Sequence, residues 1–148
     1  MHLTIIPDIV KNQKIRGLPA TATVREGAKE MLQANVAALV VVDDDGTLAG
    51  IVTERDMTRR VLAADVDAKT KTLGEIMTKD PDTLAPMDSA LDALELMRVR
   101  GYRHLPVVED GAVVGMISIR DLYAAVKGAL EEDFRETKAF VFGDRYGA

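Results

Sequence analysis

The chain has no cysteine and no tryptophan. Disulfides, thiol catalysis and thiolate metal sites are thereby excluded, and a reducing, cytoplasmic setting is expected. Its two histidines, His2 and His104, lie far apart, so no histidine-based metal constellation is visible and no metal is expected. No apolar run approaches the roughly 20 residues that span a bilayer. Met1 to Val10 has no basic region followed by a long apolar run, so no secretory signal is expected. A net charge of −5 argues against nonspecific binding to nucleic acid. There is no glycine-rich phosphate loop and no Ser/His/Asp or Cys/His set. Asp43-Asp44-Asp45-Gly46 lacks the alternating spacing of a calcium loop and reads as a hairpin turn. Aromatics are scarce, at 4% of residues. What remains, 148 residues that are 47% hydrophobic and 29% charged, has the composition of an ordinary soluble unit able to build a core.

What is present is a repeat. Arg103 to Asp121 reads as a strand through Leu105, Val107 and Val108, a turn at Glu109-Asp110-Gly111, a second strand through Val113–Ile117, and a helix start at Ser118. The same order occurs earlier: Leu39–Val42, a turn at Asp43–Gly46, Leu48–Val52, and a helix start at Thr53. Gly50 matches Gly115, Thr53 matches Ser118 and Asp56 matches Asp121 at one constant offset. Met31 then pairs with Met97, and Asp8-Ile9-Val10 with Glu75-Ile76-Met77.

Taken along the chain, Asp8–Lys11 suits a short helical turn and Ile15-Arg16-Gly17 a short strand. Thr23 and Glu26 form a capping-box pattern before a helix over Val24–Ala34, with Val24, Ala28, Met31, Leu32 and Ala34 facing inward and Asn35 at its end. Gly27 weakens that helix by about 1 kcal/mol relative to alanine. A second helix runs from about Glu54 to Ala64, and residues 65–72 form a polar linker. Thr83-Leu84 is a short strand closed by Pro86. Ser89 caps a helix with Ala90, Leu91, Leu94 and Met97 on its buried side and Gly101 at its end. Leu122, Val126, Leu130 and Phe134 carry a last helix to about Thr137. Phe140, Val141, Phe142 and Tyr146 concentrate aromatics in the tail, either covering the chain's own core or forming a contact with a partner.

Within each copy the order is β-α-β-β-α. The expected class is α/β (α+β), two such repeats packed about a pseudo-twofold axis. Residues 1–72 hold the first repeat with its lead-in and linker, 73–128 the second, and 129–148 the tail.

The pairs Thr53/Asp56 and Ser118/Asp121 have two readings. One is a helix cap and nothing more. The other uses the same geometry for a ligand, because free amides at a helix start attract phosphate and a carboxylate one turn on can accept hydrogen bonds from a ribose diol.

These residues, with Gly50-Ile-Val-Thr-Glu-Arg-Asp56, Gly115-Met-Ile-Ser-Ile-Arg-Asp121, Ile76-Met77-Thr78 and Arg103-His104-Leu-Pro-Val107, make the chain resemble a tandem pair of CBS domains, a Bateman module, over roughly residues 5–128. The resemblance implies that the Ser/Thr faces phosphate and the Asp holds ribose, which places those roles on Thr53, Asp56, Ser118 and Asp121. The expected second site comprises Ser118, Arg120, Asp121, Arg103, His104, Thr83 and Tyr102. The first comprises Thr53, Arg55, Asp56, Val36 and Ala37. Arg103 and His104 align with Ala37 and Ala38, so the second cleft is expected to be the more cationic and to hold the tighter ligand. The alternative is that these two are surface groups or pair with Glu109. Tyr102, Leu84 and Val36 are candidate walls for a base, with Tyr102 partly a packing residue. Arg16 is the counterpart of Thr83.

The function implied is that of a non-catalytic regulatory module. It would bind an adenosine-containing nucleotide (AMP, ADP or ATP first; S-adenosylmethionine, a cyclic dinucleotide or NAD less so), dimerise with itself and signal to a separate protein, with no cofactor required. The rival is a ligand-free dimerisation or interaction scaffold.

Overall fold

The structure, a computed structural model, describes residues 2–11, 13, 15 and 17–146, with side chains described to residue 141. Arg16, and the side chains of Phe142 and Tyr146, lie outside the described residues.

Helix α1 (Val24–Ala34) starts where the sequence places it. The Thr23 hydroxyl accepts the Glu26 amide at 3.1 Å, and the Glu26 carboxylate accepts the Thr23 amide at 3.0 Å. The helix stops at Asn35, which takes the left-handed conformation at φ 54°. Strands β1 (Ala38–Val42) and β2 (Leu48–Thr53) pair antiparallel, and α2 (Glu54–Met57) continues through a wide helical turn at Thr58–Leu62. The second copy repeats this with α4 (Ala90–Arg100), β4 (His104–Glu109), β5 (Ala112–Ser118) and α5 (Ile119–Tyr146). Between the copies lie α3 (Leu73–Ile76) and β3 (Thr78–Lys79). The first strand of each copy contracts to one bridging residue, Leu18 against Val41 and Leu84 against Val107, both parallel. The hairpin of the second copy turns on Asp110 (φ 51°) and Gly111 (φ 81°), the two left-handed residues of a tight two-residue loop. The first copy uses a longer loop through Gly46.

Four helix positions correct the expected packing. On α1 the buried residues are Val24, Gly27 and Met31, while Ala28, Leu32 and Ala34 are exposed. On α4 they are Ala90, Ala93 and Met97, while Leu91 is exposed. The two triplets correspond through the repeat. Each helix buries a small residue, Gly27 or Ala93, midway along its inner face, where close packing leaves no room for a large side chain. A Cβ on Gly27 would come within 2.8 Å of the Leu73 side chain. Gly27 is thus a packing requirement as well as a propensity cost.

Each repeat closes its core with a segment that precedes the other. Leu73 and Ile76 of α3 are buried in the first core, with Val41, Val52 and Val61. The lead-in does the same for the second copy. It forms a wide helical turn at Ile5–Ile9, earlier than the expected Asp8–Lys11, and buries Ile5 completely among Leu84, Met97, Leu105 and Leu122. The backbone bonds match: Ala22 carbonyl accepts the Leu73 amide at 2.8 Å, and Asp88 carbonyl accepts the Ile5 amide at 3.0 Å. Residues 65–72 are correspondingly less free than a linker. Val66 and Ala68 pack on the first core, and Ala68 carbonyl accepts the Arg25 amide.

Helix α5 runs past the expected end at Thr137 to Tyr146. At 28 residues it is about 42 Å long. Every residue from Glu131 to Val141 is exposed. Phe140 and Val141 therefore do not cover the chain's own core. Among the described residues no helix is long and apolar enough to cross a membrane, and no cluster of His, Asp or Glu is placed to hold a metal ion.

Candidate functional site

Strand β2 ends at Thr53, where the chain turns into α2. The Thr53 hydroxyl accepts the Asp56 amide at 3.2 Å and donates to Asp56 Oδ2 at 3.1 Å, while the Thr53 amide donates to the same oxygen at 2.9 Å. One carboxylate oxygen of Asp56 is thus committed to the cap. The other, Oδ1, lies 3.8 Å from Arg60 Nε.

This corner forms one wall of a cleft of about 360 Å³, within the lower part of the range for small-molecule sites. The facing wall comes from the second copy, where α4 ends and β4 begins: Arg100, Gly101, Tyr102, Arg103, His104 and Leu105. A third wall is the segment after α3, at Thr78, Pro81 and Asp82, and the floor includes Ala37 and Ile51. Arg55 Nη1 reaches across to the Gly101 carbonyl at 3.4 Å, and Arg100 pairs with Asp82 at 3.6 Å. The cleft therefore mixes cations with the carboxylates of Glu54, Asp56 and Asp82.

His104 sits on β4 opposite Ser118. Burial holds its pKa below the ordinary 6.5; the nearby Asp121 and Glu54 carboxylates oppose that shift and Arg103 reinforces it. The ring is neutral at pH 7. A histidine whose folded pKa is depressed contributes stability that is present above 6.5 and lost as pH falls through the folded value. Urea unfolding of His104→Leu is expected to lose this part of the pH dependence between about pH 8 and 5.5, while His2→Leu keeps it. Identical slopes in all three proteins would contradict the burial argument.

The structure regroups the expected site residues. Arg103, His104 and Tyr102, assigned from sequence to the second site, line one cleft with Thr53, Arg55, Asp56 and Ala37 of the first. Ser118, Arg120, Asp121 and Thr83 are not among its lining residues. Ser118 and Asp121 form their own cap, with the Ser118 amide donating to Asp121 Oδ2 at 2.8 Å and the Asp121 amide to Ser118 Oγ at 3.1 Å. Val36 is exposed and lines no part of the cleft. The reason is packing between copies: the helix–strand junction of one repeat faces the strand–helix corner of the other. The cleft therefore joins residues that a reading made repeat by repeat keeps apart. Arg100, Asp82 and Pro81 went unseen, since nothing in their spacing links them to Thr53.

The two halves, cores and corners match a known domain at residues 8–63 and again at 73–128, the CBS domain. The chain belongs to the CBS domain family. It is 38% identical over 125 residues to the mitochondrial CBS domain-containing protein CBSX3 of Arabidopsis thaliana, a match covering 82% of this chain and 61% of that one. A CBS-domain protein of Burkholderia ambifaria superimposes with a TM-score of 0.78 at 34% identity, over 84% of this chain and 93% of that structure. A hexameric CBS-CP12 protein from bloom-forming cyanobacteria gives 0.74 at 27% identity, over 83% and 71%. Proteins made of CBS domains alone are generally regulatory rather than catalytic.

Proposed function

We propose that this CBS pair binds an adenosine-containing nucleotide, AMP, ADP or ATP, in the cleft between its repeats, and passes its occupancy to a separate protein. The observation that carries the reading is the meeting of Arg55, Arg103 and His104 with Asp56 around the apolar groups of Ala37, Ile51, Leu105 and Tyr102. Arg103 and Arg55 would hold phosphate oxygens, because guanidinium groups match them in geometry and charge. Asp56 Oδ1 would accept from the ribose diol while Oδ2 keeps the cap. Tyr102 and Ile51 would wall the base. Arg55 bridges the repeats at Gly101, so a phosphate that draws Arg55 away would favour a different setting of the two halves. No resident cofactor is part of this reading. The protein is proposed to act in the cytoplasm as a homodimer.

Calorimetric titration with AMP, ATP and S-adenosylmethionine tests it. At least one should bind with a Kd under about 1 mM, and silence from all three removes the proposal. Asp56→Ala and Arg103→Ala should each weaken binding about 10- to 100-fold, and Asp121→Ala less. The reverse order would return the site to the second corner. A phosphate beside His104 raises its pKa, so affinity should increase as pH falls from about 8 to 6. A ligand-free scaffold is the second reading, favoured by the exposed Phe134 and Phe140 on α5; it predicts no heat but intact self-association.

A further inference from the structure

Beyond residue 128, where the second CBS match ends, α5 continues an apolar stripe that nothing among the described residues covers from Leu130 on. Tyr123, Val126, Leu130, Phe134, Thr137 and Val141 follow one another at spacings of three or four that average the helical period, so they stay on one side over about 27 Å. Leu130 is 54% exposed and Phe134 68% exposed. A solitary projecting helix is marginal in water, since helical stability comes mostly from packing an apolar face.

We infer that this stripe pairs antiparallel with the same stripe of a second copy of the chain. The charges beside it select that occupant. Lys127, Glu131 and Lys138 form a row along one edge of the stripe, with Lys127 Nζ already 3.9 Å from Glu131 Oε1. In an antiparallel pair this edge meets the same edge of the partner. Glu131 then faces Lys138 of the second copy, and the twofold axis makes the contact twice. The register that forms these two pairs also interdigitates the stripe. Leu130 falls between Thr137 and Val141 of the second copy, Thr137 between its Leu130 and Phe134, and Val141 between its Val126 and Leu130. The other edge brings Asp133 toward Glu136, but Glu136 is turned about 120° from the stripe's centre and points to water. A parallel pair meets edge to opposite edge and gives Glu131 no basic partner. Charge and steric register thus agree on one arrangement, which is independent of the nucleotide cleft.

Sedimentation equilibrium of the full chain tests it. The chain should be dimeric at about 100 μM, a concentration at which dimers of micromolar Kd are populated. Leu130→Asp and Phe134→Asp should give monomers with unchanged β-sheet circular dichroism. Lys138→Glu should weaken the dimer about 10-fold or more, and Glu131→Lys added to it should restore the wild-type constant. Because the chain has no native cysteine, a Glu131→Cys chain mixed with a Lys138→Cys chain should form a disulfide-linked heterodimer, and Thr137→Cys alone should not cross-link. A monomeric wild type, a dimer indifferent to Phe134→Asp, failure of the charge swap, or cross-linking through Thr137→Cys would each overturn the pairing.

Discussion

Gly50→Ala is expected to destabilise the protein by about 2–3 kcal/mol, while Gly115→Ala at the matching position of the second repeat changes stability by about 0.5 kcal/mol or less. The two glycines look alike in sequence. A Cβ on Gly50, however, would lie 2.5 Å from the Met77 sulfur and 2.7 Å from the Thr78 carbonyl oxygen. The carbonyl belongs to β3, which pairs with β2 at Gly50–Lys79 and Ile51–Thr78, so it cannot retreat without breaking that ladder. On Gly115 the nearest neighbour is the Val10 side chain at 3.6 Å, an ordinary contact. Thr78 also lines the cleft, so Gly50→Ala should lower nucleotide affinity together with stability. Denaturant midpoints of the two variants decide the matter, and equal losses would show that β3 yields freely.

The second large effect falls on the lead-in. Ile5→Ala should cost about 3 kcal/mol, the middle of the range for emptying a buried aliphatic site. Ile5 has no exposed surface and touches the second core. Leu32→Ala, on a side chain 82% exposed, is the control and should cost under about 0.5 kcal/mol. Hydrogen exchange should locate the damage: amides of β4 and β5 lose protection before those of β1 and β2. Loss confined to β1 and β2 would contradict the crossed packing.

The repeat and its helix starts were legible because their signals are local. A Thr or Ser three residues before Glu or Asp makes a cap wherever it folds, and the four caps read from the sequence stand at Thr23, Thr53, Ser89 and Ser118. The hairpins were equally plain, since Asp110-Gly111 needs left-handed residues whatever surrounds it. The inward faces of the helices were only half legible. Counting hydrophobicity favours Leu32 and Leu91, whereas close packing puts Gly27 and Ala93 inside.

The sequence by itself determined that there are two copies of one strand–helix unit, where the helices after Thr23, Thr53, Ser89 and Ser118 begin, and which side chains carry charge or a hydroxyl at each corner. Only the tertiary structure decided that the lead-in completes the second core and α3 the first, that Arg103 and His104 share a cleft with Asp56, and that Gly50 but not Gly115 must stay bare. Those facts rest on contacts between residues tens of positions apart. Chain order sets spacing along one element, while the packing of two repeats against each other sets which of them meet.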